Sequence, residues 1–425
     1  IALCSESKVF ADLNAYADSI SHVFPHLAQN PNRYTDGSYF EVEREFYRLA
    51  YEHRCVFHHL PYKHSGAVVE SYAPELEGEG LDIRVKSWDI YDRHFGPLLD
   101  GSAFKGCKRG SAPVQFMYLP FNFCWPADYV KWGKKGYRTE FRRIMKEFTR
   151  HFEEKGWTNT YMELFFNHKK RYRYFPFDGD ETRFQEDAVI FEIFHEYVRD
   201  IFEETKAKFI FRTDSSWSYG LHLHDKYIDI CNMWVVGGSI FSWFPEGPRM
   251  MQERNNIVFI YGGIPRGMAE NLQSLFFWPV RAVMLDIDGF TLWNSTGFGT
   301  QDPLETPYGN GNTIYWYPGS YFGYNLPIPS IRLKALRNYV QMADMMKMTK
   351  GTWMLDEIKD MINRFYNADE KFWWREKPEL LNTPPHTWTN QKLSDATAGY
   401  RKPKESPALA ERMKTETLKI ITSGR

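Results

Sequence analysis

The stretch YMELFFNHKKRYRYFPFDGDET, residues Tyr161 to Thr182, begins as an apolar run and ends in three acids. Its first part is short, aromatic and bounded by polar residues, which is typical of a buried strand. The segment before it, TEFRRIMKEFTRHFEEKGW (139–157), carries Phe, Ile and Met at helical spacing and charges on the other face. Together the two segments predict a helix followed by a buried strand, as in a βα repeat.

The same kind of run recurs along the chain. We count eight: KVFADLNAY (8–16), RCVFHHLPY (54–62), PVQFMYLPFN (113–122), TYMELFFNH (160–168), KFIFRTDSS (208–216), YIDICNMWV (227–235), NIVFIYGG (256–263) and GFTLWNS (289–295). Helical or loop-rich segments separate them, which is the pattern of repeated βα units. We therefore predict an α/β fold, a (β/α)8 TIM barrel over residues 1–348, closed by a helix that Ser330 caps. Residues 349–425 are predicted to form a C-terminal helical extension that packs on the barrel.

Composition narrows the range of ligands. The 425 residues carry 53 basic and 54 acidic side chains, so nothing indicates a polyanion-binding surface, and no nucleic-acid partner is predicted. The aromatic fraction is 17%, which favours ligands that stack on rings, such as sugars. The five cysteines show no CxxC spacing, and no Gly-rich dinucleotide or phosphate loop is present. We predict no metal, no cofactor and no membrane span.

In a barrel of this kind the active site lies at the carboxyl ends of the strands. Asp214 stands at one such end, and Asp178, Asp180 and Glu181 follow another. These four acids and His168 are the predicted catalytic residues. The predicted substrate-binding residues are Asn14, His59, Asn122, Asn167, Trp217, Asn232, Trp234, Trp293, Asn294 and Trp316. Asp286 and Asp288 precede the last strand and are therefore predicted to lie at the opposite end.

Glycoside cleavage in most families requires two carboxyl groups, one of which is kept protonated. Three acids within the turn 178–181 repel one another, which favours a raised pKa for one of them. A solvated turn or a cation site is the alternative for this turn. His168 is a second candidate proton donor, or a group that binds a substrate hydroxyl. His58 and His59 are adjacent on a strand and face opposite ways, which disfavours a shared metal.

The closing segment, GFTLWNSTGFGTQDPLETPYGNGNTIYWYPGSYFGYNLPIPSIRLKALRNYVQ, resembles glycoside hydrolase family 123. The resemblance covers roughly residues 8 to 345 and rests on the Tyr-Pro-Gly turn and the IPSIRLKALR helix. It implies a catalytic barrel that acts on glycosides. In that family an Asp holds the 2-acetamido group of the substrate and the following Glu protonates the leaving oxygen. Asn167 and His168 occupy those two positions here, so the family's N-acetylhexosaminidase chemistry is not expected.

The sequence thus predicts a glycoside hydrolase of carbohydrate metabolism, for instance in polysaccharide degradation. It would cleave an O-glycosidic bond in an oligo- or polysaccharide with Asp214 and one acid of the turn. The alternative is a non-catalytic carbohydrate-binding barrel. The resemblance favours a secreted or periplasmic location, and the chain begins at Ile1, which leaves a preceding signal peptide or domain open. The sugar, the linkage, the stereochemical outcome and the oligomeric state stay open.

Overall fold

A computed structural model describes residues 2–7, 24–63, 65–69, 71–170, 175–182, 185–215, 227–237, 241, 246–262, 275–292, 315–367, 379, 383, 387 and 407–423. The strands are β1 (Ala2–Ser7), β2 (Val56–His59), β3 (Glu75–Glu77), β4 (Arg84–Ser87), β5 (Phe116–Tyr118), β6 (Tyr161–Leu164), β7 (Lys208–Ser215), β8 (Met233–Gly237), β9 (Ile257–Gly262), β10 (Gly289–Leu292), β11 (Trp316–Tyr317) and β12 (Ile328–Pro329). The helices are α1 (Pro25–Ala28), α2 (Ser38–Glu52), α3 (Asp89–Leu99), α4 (Lys135–Lys155), α5 (Gln185–Glu204), α6 (Gly247–Gln252), α7 (Phe277–Met284), α8 (Ile331–Lys347), α9 (Trp353–Tyr366) and α10 (Pro407–Ser423).

Eight strands form one parallel sheet in the order β2-β1-β10-β9-β8-β7-β6-β5. Two short antiparallel pairs, β3–β4 and β11–β12, lie outside it. Seven of the eight predicted runs each overlap one strand of this sheet. The predicted run 8–16 lies outside the described residues, and the first described strand of the sheet, β1, occupies residues 2–7 directly before it.

The sheet is an open half-barrel, so the predicted closed (β/α)8 TIM barrel is wrong and only the α/β class stands. The strands β2 and β5 lie at the two edges of the sheet, and no backbone hydrogen-bond ladder joins them in the described residues. Their side chains nevertheless meet, since the His58 ring stacks on the Tyr118 ring at a centroid distance of 3.8 Å. Closure requires a continuous, staggered ladder. These two edges have only four and three residues and are bridged by side chains instead.

Alternate positions of each strand face opposite sides of the sheet. One side carries apolar residues such as Phe57, Met162 and Trp234, which belong to the large core shared with the helices. The other, concave side carries a smaller cluster that includes Phe116, Ile210, Met233, Val235 and Phe259. Further toward the carboxyl ends, the concave side becomes polar.

The helix α7 precedes the last strand of the main sheet, and α8, α9 and α10 follow it. Ser330 caps α8, where its hydroxyl accepts a hydrogen bond from Leu333 N at 3.4 Å. Residues of α7, α8, α9 and α10 share one buried cluster, which includes Val280, Met346 and Met413. The C-terminal helices therefore pack on the helices beside the sheet. No helix among the described residues combines the length and the apolar character that a membrane span needs.

Candidate active site

A buried ion cluster lies on the concave side of β6 and β7. The Arg212 guanidinium binds both carboxylate oxygens of Asp214, with Nε–Oδ1 at 2.7 Å and Nη2–Oδ2 at 2.9 Å. Its Nη1 also donates to Glu163 Oε2 at 3.0 Å and to the Tyr118 hydroxyl at 2.8 Å. Arg212 and Asp214 are two positions apart on β7 and therefore share a face.

His58 extends this cluster to the edge strand β2. Its Nε2 lies 3.1 Å from Glu163 Oε1, and both side chains are buried. Four strands, β2, β5, β6 and β7, thus contribute to one polar assembly at the level where the concave side turns polar. Burying two carboxylates is costly unless cations and hydrogen bonds compensate them, which Arg212 supplies here.

The acidic turn 178–182 is docked on the ends of β6 and β7. The amides of Gly179 and Asp180 donate to the His168 carbonyl at 2.9 and 3.3 Å, and Thr182 N donates to the Asp214 carbonyl at 3.2 Å. Gly179 lies so close to β6 that an added Cβ would stand 2.8 Å from the Phe166 carbonyl oxygen. The turn is therefore fixed against the strand ends by backbone contacts.

Glu181 reaches from this turn over the concave side. Its carboxylate pairs with Lys169, and its Oε1 accepts from the Tyr261 hydroxyl at 3.5 Å. Tyr261 lies on β9 and packs against the concave apolar cluster. Glu181 has a left-handed backbone, with φ of 53°, which is uncommon for a residue with a side chain. Backbone strain of this kind occurs often at functional sites.

Tyr62 lies near the carboxylates of Asp180 in the turn and Asp214 on β7. Its hydroxyl donates to the Phe165 carbonyl and accepts from Asn167 N at 2.9 Å. Burial is the main cause that raises the pKa of Tyr62 above its ordinary value, and the charges of Asp180 and Asp214 raise it further. Both carboxylates therefore act on the same hydroxyl group.

A fourth acid, Asp187, stands close to the turn at the start of α5. Its carboxylate is buried and lies 2.6 Å from Lys170 Nζ, while Lys170 N donates to Asp178 Oδ1 at 2.7 Å. Burial raises the pKa of Asp187, although Lys170 opposes this effect. Asp187 lies outside the acidic turn and was not among the predicted catalytic residues.

Several residues predicted to bind substrate lie away from the concave side. His59 faces the helices and its Nδ1 bonds to Glu43 Oε1 at 2.8 Å. Asn122 is buried and holds a turn, where its Oδ1 accepts from Cys124 N at 2.8 Å. Asn232 precedes β8 at the amino end of the sheet, where its Oδ1 accepts from Phe211 N, so its expected position at a strand tip was wrong.

The described tryptophans among the predicted residues lie in the core. Trp234 faces the helices and its Nε1 donates to the Cys231 carbonyl at 3.0 Å. Trp316 is fully buried and packs against Phe46 and Phe57. Asn14, Trp217, Trp293 and Asn294 lie outside the described residues. The aromatic side chains on the concave side are instead phenylalanines and tyrosines, among them Phe116, Phe259, Tyr118 and Tyr261.

Asn167 and His168 are both fully buried behind the turn. The His168 ring packs on Tyr62, Phe123 and Phe175, at centroid distances of 5.3, 4.7 and 4.6 Å. Because its carbonyl accepts the amides of Gly179 and Asp180, His168 supports the acidic turn from the buried side and is not exposed on the concave side.

The sequence reasoning missed Glu163, Arg212 and Tyr118. The signal was present, because a charged residue at an alternate position of an otherwise apolar strand marks a polar patch on one face. Asp286 lies at the amino end as predicted, with Lys347 Nζ 2.6 Å from its Oδ1. Within the described part of the chain, no group of three or more His, Cys, Asp or Glu side chains is arranged to hold a metal.

No protein-family model matches this chain, and no curated protein matches it significantly. The resemblance to glycoside hydrolase family 123 therefore stays a prediction that rests on the residues quoted for it.

Proposed function

We propose that this chain is a carbohydrate-active hydrolase that cleaves a glycosidic bond over the concave side of the sheet, at the carboxyl ends of its strands. A single observation carries the proposal. Asp214 and Glu181, which come from different segments, converge on that side: Asp214 is held by Arg212, and Glu181 contacts Tyr261 of β9. In most families this reaction requires two carboxyl groups that flank the glycosidic bond.

The two acids differ in their surroundings, which favours different roles. Asp214 is bound through both oxygens by a buried guanidinium, which favours the carboxylate form that a nucleophile or base needs. The acidic turn would supply the proton donor, and Glu181 is its member in contact with the concave side. Arg212 would act as a positioning residue, because it binds the Asp214 carboxylate directly. Glu163 and His58 would in turn hold Arg212 in place.

The proposed substrate class rests on the side chains of the concave side of the sheet. The apolar C–H face of a sugar stacks on aromatic rings, and the half-buried Tyr261 on the concave side is the ring proposed for this contact. Asp180 and Lys169, whose charged groups lie 3.5 Å apart, would bind sugar hydroxyls. An oligo- or polysaccharide is therefore the proposed substrate, and a secreted or periplasmic location goes with it.

A non-catalytic carbohydrate-binding protein is the second candidate. It is favoured by the same bidentate pair, since a carboxylate that uses both oxygens on Arg212 is also suited to a purely structural role. Under this alternative the hollow binds glycan without turning it over.

The test compares the wild type with Asp214→Asn and Glu181→Gln on a panel of aryl glycosides and oligosaccharides. Asp229→Asn, an exposed carboxylate at the amino end of the sheet, serves as the matched control. A hydrolase should lose about 10²- to 10⁴-fold in kcat in either amide variant and keep its glycan affinity, with the control unchanged. Wild-type binding without turnover would identify the second candidate. Turnover that survives both changes would refute the proposed pair.

A further inference from the structure

A separate cavity of 230 Å³ lies at the amino ends of β2 and β5, at the opposite end of the sheet from the acids. Residues from α2, α8 and the segment 104–115 line it. One water needs roughly 10–15 Å³ of such space, and sites for drug-sized molecules begin at about 300 Å³. The cavity therefore has room for a small organic ligand.

Two guanidinium groups face this cavity, and one carboxylate accompanies them. Arg54 Nη1 binds Asp344 Oδ2 at 2.8 Å, while Arg109 Nη1 donates to the Tyr51 carbonyl at 2.6 Å. The described lining residues thus carry an excess of one positive charge. Of the five N–H donors of a guanidinium, Arg109 uses one in a hydrogen bond to a described residue.

The Arg54 guanidinium also has a donor that is not in use. Its Nε is buried and has no hydrogen-bond partner among the described residues.

Apart from Gln115, the rest of the lining is aromatic or apolar. The Tyr51 and Phe104 rings stack at a centroid distance of 4.3 Å, and Arg109 lies over the Tyr51 ring at 4.7 Å. Burial lowers the pKa of Arg109, and the charge of Arg54 lowers it further. A bound anion would relieve this repulsion.

We propose that this cavity is a second binding site, for a small organic oxyanion that the two arginines hold while its apolar body packs against Tyr51 and Phe104. Guanidinium forks bind carboxylate and phosphate oxygens in pairs, and the single excess charge is matched by a monoanion. The site lies at the opposite end of the sheet from the proposed reaction and is independent of it.

Isothermal titration calorimetry at low salt tests this inference with benzoate, inorganic phosphate and, as the neutral analogue, benzyl alcohol. The variants are Arg109→Gln, which removes one guanidinium, and Ala112→Phe, which fills the exposed rim and keeps both arginines. Arg138→Gln, on the distant surface of α4, is the control.

We expect saturable binding of at least one anion, no binding of benzyl alcohol, and at least a tenfold loss of affinity in both variants but not in the control. Tighter binding of benzoate would indicate a carboxylate ligand, and tighter binding of phosphate a phosphorylated one. If Arg109→Gln does not fold, Ala112→Phe decides alone. Absence of saturable binding by either anion in the wild type, or unchanged affinity in Ala112→Phe, overturns the inference.

Discussion

Arg212 has the most consequential contacts of any single residue at the candidate site. It is buried and compensates two carboxylates, Asp214 and Glu163, that come from neighbouring strands. Removing one partner of a buried ion pair is costly, because the remaining charge stays out of water without compensation.

Replacing this guanidinium should destabilise the whole fold. We expect Arg212→Met to lower the free energy of unfolding by about 3–5 kcal/mol, since two buried carboxylates lose their cation. Urea denaturation at neutral pH measures the change. Arg249→Met is the control, because Arg249 pairs with Glu253 on an exposed helix surface, where such pairs contribute about 0–1 kcal/mol. Equal losses in the two variants would contradict the role given to Arg212.

A second buried charge, Glu43, stabilises the packing of α2 and α3 behind the sheet. It contacts His59, His94 and Tyr72. Burial opposes its ionisation, but the charge of His94 and the hydrogen bonds from both histidines outweigh burial and lower the pKa of Glu43 below its ordinary value of 4.5.

This lowered pKa gives a pH-dependent stability. The unfolded chain takes up the proton at higher pH than the folded one, so the contribution of Glu43 is present above pH 4.5 and is lost as the pH falls below it. We expect Glu43→Gln to cost about 3 kcal/mol at pH 7 and progressively less below pH 4.5. Urea denaturation across this range measures the difference, and a difference that does not change with pH would contradict the assignment.

Adjacent histidines show what the sequence can predict at this scale. Strand alternation indicates that His58 and His59 face opposite ways, and they do. It does not indicate which side is concave, because both sides of this sheet are buried. The sequence therefore predicts His59 as a substrate ligand, whereas in the structure His58 is the residue that joins the ion cluster.

At the scale of elements, apolar runs located seven strands of the sheet because buried parallel strands are short and uniformly apolar. The ends of the strands were less predictable. The run 227–235 includes a turn, and β8 begins only at Met233, so Asn232 falls at the amino end. The sequence does not predict β1, because the second half of ALCSES, residues 5–7, is polar rather than apolar.

The docking of the acidic turn on β6 is the element-scale feature that the proposed function needs most. We expect Gly179→Ala to shift the turn, because the new Cβ would stand 2.8 Å from the Phe166 carbonyl oxygen and 2.9 Å from its Cβ. Glycoside turnover should fall at least tenfold. Kinetics on the best substrate of the panel measures this loss.

Gly136→Ala provides the matched control, since Gly136 lies in α4 and a Cβ there meets nothing within 4 Å. It should leave turnover unchanged and add about 0.5–1 kcal/mol of stability. Full activity in Gly179→Ala would show that the position of the turn does not matter for the reaction.

At the scale of the molecule, the sequence predicted the α/β class but not the opening between β2 and β5. The spacing of apolar residues indicates which residues are buried, but it does not indicate which strand edges form hydrogen bonds with each other. Between the edge strands β2 and β5, the stacked rings of His58 and Tyr118 make the contact that a backbone ladder would make in a closed barrel.

The C-terminal helices should unfold together with the sheet, because Met413 of α10 belongs to a buried cluster with residues of α7, α8 and α9. We expect Met413→Ala to cost about 2–5 kcal/mol within a single transition, seen equally by far-UV and near-UV circular dichroism. Met348→Ala, at a position that is 83% exposed, should stay within about 0.5 kcal/mol of the wild type. Two separate transitions would instead indicate an independent C-terminal unit.

A crystal soaked with mixed monosaccharides tests the central claim most directly. The account predicts ordered sugar density over the concave side, within hydrogen-bond distance of the Asp214 or Glu181 carboxylate and near the Tyr261 ring. Sugar bound elsewhere while this hollow stays empty would contradict it.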